Sequence, residues 1–293
     1  MPIFILRKEG MALITLNDIS VEIGIKKPTV IIGERINPTG KKALSAEFQA
    51  GKMELAIGYA HEQKETGVVD ILDINVGAAG VDEVEFLPRV VKKVVEVAGL
   101  PICIDSSNPD ALVAALKIYP GRALVNSVTG EEKSLSKILP AIKEYDASVV
   151  GLAMDDDGIP QTAQKRFDVA KKIVDRAVSI GIPRENIVID CLTMTASVDQ
   201  EAASIILESL SRVIDEIGVP TVLGVSNISF GMPERNLLNR TFISMAIKAG
   251  LSAAIIDPNA EGMVDTIYAA DFLDARDPYG GRYIGLYRKK QQG

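Results

Sequence analysis

The sequence predicts a single-domain (β/α)8 barrel, the TIM-barrel architecture. Short apolar runs recur along the chain, each closing on a polar side chain, and amphipathic stretches separate them. The runs occupy 29–36, 71–75, 101–105, 122–126, 148–155, 186–190, 221–227 and 253–257. A length of 293 residues also suits one α/β barrel of roughly 250 residues with short extensions.

Each segment has a local reason. Residues 1–28 precede the first barrel run, and 4–6 with 12–16 around Gly10 read as a hairpin closing the barrel's amino-terminal mouth. The barrel itself is expected over 29–275. A helix over 52–66 carries Met53, Ala56, Ile57 and Ala60 and stops at Gly67; one over 84–97 is dense in valine, with Pro88 in its first turns. Asn108 followed by Pro109 is a cap with proline at the first helical position, and Pro120–Gly121 ends that segment. Further helices are expected over 159–180, 197–217, 233–249 and 261–275, most punctuated by glycine or proline. Residues 276–293, with Gly280, Gly281 and several tyrosines, read as a peripheral tail.

Composition narrows the function classes. A hydrophobic content of 47% supplies a core, and a net charge of −7 with interspersed signs argues against a nucleic-acid groove. No apolar stretch approaches the ~20 residues that span a bilayer, and Arg7, Lys8 and Glu9 interrupt any secretory pattern. Cys103 and Cys191 make no CxxC motif and read as buried thiols in a reducing cytoplasm.

Familiar motifs fail. Between Gly33 and Gly40 lie six residues where a phosphate loop needs four, and Lys42 replaces its Ser/Thr. Asp155, Asp156 and Asp157 lack the alternation of a calcium loop and read as the cap of the helix at Pro160. The single histidine, His61, lies on an expected helix, so neither a metal cluster nor a hydrolase triad is indicated.

What remains is a ring at the expected strand ends: Asp105, Asn126, Asp190 and Asn227. Any one of these could merely cap a helix. Four converging on one mouth must hydrogen-bond something, because each unmatched buried polar group costs about 1–3 kcal/mol. Carboxylates accept two donors and amides both donate and accept, a pattern that fits the alternating edge of a pterin ring.

At these residues the chain resembles the pterin-binding, corrinoid-dependent methyltransferase family, which includes methyltetrahydrofolate:corrinoid protein methyltransferases and methyltransferase II of demethylase systems. The segments carrying the likeness are IGERINPTGKK (32–42), DINVG (73–77), CIDSSN (103–108), VNSVTGE (125–131), VIDCL (188–192), LGVSNISFG (223–231) and NRTFISMAIKAGLSAAIIDP (239–258). The resemblance implies methyl transfer between tetrahydrofolate, or methyltetrahydrofolate, and the cobalt of a corrinoid (cobalamin). It places Asp105, Asn126 and Asp190 at the pterin, and Asn227 as the catalytic amide beside the methyl-bearing nitrogen. Glu34 and Asn37 fall at the site's edge, while Asp73 and Asn75 fit either ligand contact or shaping of the mouth. The family also implies a homodimer. Because the chain lacks an Asp-x-His-x-x-Gly corrinoid motif, a separate corrinoid protein is the expected partner.

The form GERINPTGKK and the free-standing chain resemble the demethylase-system members of the family more, which implies transfer from methylcorrinoid to tetrahydrofolate. The alternatives are methyl donation to a corrinoid iron–sulfur protein for acetyl-CoA synthesis, and a non-catalytic folate-binding module. Dihydropteroate synthase chemistry is disfavoured because SNIS at 226–229 brings no cation for pyrophosphate.

Overall fold

A hairpin plugs the bottom of a closed barrel. In the computed structural model, which describes residues 11–292, β1 (Met11–Leu16) and β2 (Ile19–Gly24) pair antiparallel about a turn in which Asn17 takes a φ of 51°. Asparagine tolerates this left-handed conformation better than most side chains. Alternation along β1 buries Ala12, Ile14 and Leu16 on one face. The strand's partner is thus Ile19–Gly24; the arm expected at 4–6 lies outside the described residues. Thr15 N donates to Arg122 O at 2.9 Å and Ser148 Oγ to Leu13 O at 3.1 Å, which seats the hairpin on the amino ends of the barrel strands.

The barrel strands are β3 (Val30–Ile36), β4 (Ile71–Asn75), β5 (Ile102–Asp105), β6 (Leu124–Thr129), β7 (Ser148–Leu152), β8 (Ile187–Asp190), β9 (Thr221–Gly224) and β10 (Ala253–Ile256). They pair in parallel in chain order, and β10 closes on β3. Around them lie α1 (Lys42–Gln49), α2 (Glu54–Glu65), α3 (Glu83–Ala98), α4 (Pro109–Leu116), α5 (Glu132–Glu144), α6 (Ala163–Ser179), α7 (Ala202–Arg212), α8 (Arg235–Ala249), α9 (Met263–Leu273) and α10 (Gly281–Gln292). Among the described residues no helix is long and apolar enough to cross a membrane.

Several boundaries depart from expectation for local reasons. The helix expected from 159 begins at Ala163, where the Thr162 hydroxyl accepts from Lys165 N at 3.3 Å. The acids ahead of it cap no helix: Asp155 and Gly158 exchange backbone bonds in their own turn, and Asp155 Oδ1 accepts from Asp157 N. Helices α1 and α5 escaped the sequence pattern. Interrupting lysines, serines and Pro140 obscure α5, yet it buries Leu135, Ile138, Leu139 and Ile142. At about 1.5–3 kcal/mol per large side chain, that burial exceeds the ~3 kcal/mol penalty of an interior proline. The tail is tied down as well. Thr29 N and Oγ1 donate to the buried Asp271 at 2.8 and 2.6 Å, and Arg282 of α10 donates to Thr29 O at 3.1 Å.

Two apolar layers result, one between strands and helices and one inside the barrel. The inner layer contains Ile32, Ile71, Cys103, Leu124, Val188 and Ile255, among others, with Ala12, Ile14 and Ile23 of the hairpin beneath. Side chains along a strand return to one face every second residue. The next inward residues are therefore Glu34, Asp73, Asp105, Asn126, Asp190 and Asp257. A dry floor under a polar mouth follows from that period alone.

Candidate active site

The polar mouth lies at the carboxyl ends of the strands, where barrel active sites are built. Strand register aligns three of the expected residues: Asn75 pairs with Asp105, and Asp105 with Asn126. Asp190 faces the same mouth from β8, beside Leu152 of β7. Asn227 is not at a strand end. It sits in a 3-10 turn, Val225–Ser229, that folds over the end of β9, so that a Cβ on Gly224 would lie 3.4 Å from its Nδ2. The β8–α7 loop braces this turn: Ala196 N donates to Ile228 O at 2.9 Å and Thr195 Oγ1 to Phe230 O at 2.6 Å.

Hydrogen bonding divides the ring into engaged and free groups. Asn75 Nδ2 donates to Asp105 Oδ2 at 2.9 Å while its Oδ1 accepts from Gly77 N at 2.8 Å, so this side chain chiefly orients Asp105. Asn37 likewise donates to Glu34 Oε1 at 3.1 Å and accepts from Thr39 N at 3.0 Å. By contrast, the side-chain amides of Asn126 and Asn227 have no hydrogen-bond partner among the described residues. Asp105 keeps Oδ1 open, and Asp190 keeps Oδ2 open beyond the bond its Oδ1 accepts from Leu192 N at 2.7 Å.

Burial tunes the acids. Asp190 is pushed up to about 7 by desolvation, with Leu192 N–H and the Arg166 guanidinium pulling the other way. Asp105 is pushed up to about 6, again by burial first, with Asn75 opposing and the charges of Glu34 and Glu83 adding to the rise. Asp73 lies below the ring, beside Cys103, and burial drives it well above the carboxylate range, with Asp105 and Glu34 reinforcing the effect. Its Oδ1 is buried without a partner. The same burial disfavours a second negative charge beside Asp105. Burial raises Glu34 too, countered by Lys41 and Asn37.

Sequence reasoning missed three supporting side chains. Lys41 Nζ donates to the carbonyls of Glu34 and Asn37 at 3.3 and 3.2 Å and so shapes the loop after β3. Arg235 returns a guanidinium to the SNIS turn, where no cation was expected, but its Nε and Nη2 are engaged by Ser229 Oγ and Ser226 O at 3.1 and 3.0 Å. Arg166 is 1% exposed beneath Asp190. Its phase with Val169, Ala170 and Ile173 on the core face of α6 was the available signal.

A closed barrel whose mouth carries these acids and amides also has relatives. The sequence profile described as pterin binding enzyme matches residues 33–257. The chain belongs to the pterin-binding enzyme family. A methylcorrinoid:tetrahydrofolate methyltransferase from Eubacterium limosum is 31% identical over 272 residues, covering 90% of this chain and 98% of that protein. The methionine synthase of Mycobacterium leprae is 32% identical over 248 residues, of which this pterin-binding chain spans 20% of the larger protein and 79% of itself. Among solved structures, dihydropteroate synthase from Xanthomonas albilineans with 4-aminobenzoic acid superposes with a TM-score of 0.67 at 17% identity, covering 90% of this chain and 99% of that one. That likeness shows the barrel fold alone.

Proposed function

We propose that this pterin-binding enzyme transfers a methyl group from a methylcorrinoid carried by a partner protein to tetrahydrofolate, as part of a demethylase system. The observation that carries the reading is the set of unengaged hydrogen-bonding atoms on Asp105, Asn126, Asp190 and Asn227 around one mouth. The Eubacterium limosum relative, which aligns along nearly its whole length, is named for this transfer.

In this reading Asp190 and Asp105, once ionised, accept N–H donors of the pterin, and Asn126 supplies both a donor and an acceptor. Asn75, Glu34 and Asn37 hold the edge of the pocket, with Asp73 beneath it. The corrinoid supplies an electrophilic methyl group and keeps the bonding electron pair. The folate ring nitrogen attacks and releases a proton. Asn227 suits that change, because its Oδ1 accepts from the folate N–H in a bond that strengthens as positive charge develops on the attacking nitrogen. Its Nδ2 can donate to the nitrogen only in the reverse transfer, when the electron pair returns to it. The side chain is solvent-exposed, so the covering partner completes its dry environment. Anchoring the far ring edge holds the nitrogen for in-line approach at about 3–3.5 Å.

Assembly as a homodimer belongs to the same proposal. Exposed Met245 on α8, Leu273 on α9, and Tyr283 and Tyr287 on α10 offer apolar surface. Two free, buried cysteines fit a cytoplasmic protein. Anaerobic incubation with tetrahydrofolate and methylcobalamin, followed through the cobalt absorption spectrum, tests the transfer. Formation of methyltetrahydrofolate is expected; absence of both transfer and folate binding overturns the reading.

A further inference from the structure

We propose that Arg166 is a positioning residue for the Asp190 carboxylate, acting through the backbone of Leu192 without touching a ligand. The proposal rests on the folate reading of the mouth. Arg166 is among the largest fully buried side chains of the protein. Burial of a guanidinium is costly unless its donors are satisfied. Among the described residues no carboxylate forms an ion pair with it.

Its donors go to main-chain oxygens instead: Nε to Pro160 O at 2.9 Å, and Nη1 to Cys191 O at 2.8 Å and Leu192 O at 2.7 Å. These carbonyls belong to the loop before α6 and to the two residues that follow Asp190. They hold the β8 exit in a conformation that places Leu192 at a φ of 61°, in the left-handed region a leucine rarely adopts. In that conformation Leu192 N–H turns back to Asp190 Oδ1 at 2.7 Å. One side chain therefore sets the backbone that orients the carboxylate, leaving Oδ2 to the mouth.

Arg166 also brings positive charge to this acid. Asp190's neighbours in register are Leu152 on β7 and Val222 on β9, neither of which ionises. The Cys191 thiol is held far above its usual range by burial, and Asp199 acts on Arg166. Arg166 is the cation that favours ionised Asp190.

The test uses the intact protein with carboxyl-13C aspartate and needs no ligand for its first readout. The Asp190 signal, assigned by its loss in Asp190→Asn, is titrated in wild type, Arg166→Met and Arg166→Lys. Arg166→Met should raise the Asp190 pKa by about one unit, a tenfold change in its ionisation constant. The tetrahydrofolate Kd should then rise severalfold at pH 9 from the lost positioning alone, and by about a further fivefold at pH 7, where the carboxyl is also less ionised. Arg166→Lys keeps the charge but not the fork, so the carboxyl should titrate as in wild type while Kd rises severalfold at every pH. An unmoved Asp190 titration in Arg166→Met, or wild-type affinity of that variant at pH 9, overturns the proposal. If that variant does not fold, Arg166→Lys decides, since affinity equal to wild type refutes the positioning role. A wild-type protein that binds no tetrahydrofolate sinks the folate reading, yet the carboxyl titration still judges Arg166.

Discussion

Folate capture should weaken steeply between pH 8 and pH 6, because the two acids that would grip the ring titrate there. Asp190 is raised to about 7 and Asp105 to about 6, both chiefly by burial. Only the ionised forms accept the pterin N–H donors, so the apparent Kd scales inversely with the fraction of protein in which both are charged. That fraction is about 0.9 at pH 8, about 0.45 at pH 7 and about 0.05 at pH 6. The Kd should therefore double from pH 8 to pH 7 and rise about tenfold more by pH 6. Binding at pH 7 should also release about 0.6 proton, as both acids are drawn into their charged forms. Isothermal calorimetry with tetrahydrofolate in phosphate and in Tris reads both quantities, since the apparent enthalpy changes with the buffer's heat of protonation. A Kd flat across this range, or identical enthalpies in the two buffers, would refute the assignment of these carboxylates to the ligand.

Three further outcomes follow from the same structure. Asn227→Ala should slow methyl transfer by at least about a hundredfold while changing folate Kd by less than about threefold, because its hydrogen bond strengthens as charge develops; rapid-mixing kinetics beside a binding titration checks this, and equal losses count against the role. Asp190→Asn should stabilise the ligand-free protein at pH 8 but not at pH 4. The folded pKa near 7 exceeds the unfolded 3.8, so the ionised acid penalises folding above the unfolded value, and fully so above the folded one, by an amount on the order of 4 kcal/mol. Thermal melts at the two pH values read the difference, and a larger gain at pH 4 contradicts it. Gly121→Ala places a Cβ 2.2 Å from Thr15 O, so it should push the hairpin off the barrel floor and cost about 1–3 kcal/mol in denaturant unfolding. Folate affinity should be unaffected, because the floor is remote from the mouth.

The barrel was legible in the sequence because its information is local and periodic. Apolar runs ending on Asn75, Asp105 and Asp190 became strands ending on those residues, and the Asn108–Pro109 pair became the cap of α4. The same period of two that buries Ile71, Cys103, Leu124 and Val188 dictates that Asp73, Asp105, Asn126 and Asp190 point inward. Hence the polar mouth was readable before any coordinates. Which of its groups remain open was not. Asn75 and Asn126 are the same residue type in adjacent registered strands, yet one amide is engaged by Asp105 and Gly77 while the other is free. Of the two contacts, the one that turns Asn75 to the mouth's carboxylate joins segments 30 residues apart. Arg166 reads in sequence as a polar residue on an amphipathic helix, and only the packing of α6 under the β8 exit turns it toward Cys191 and Leu192. The acidities of Asp105 and Asp190 have the same origin, since desolvation depends on everything that surrounds a carboxylate and not on its neighbours in the chain.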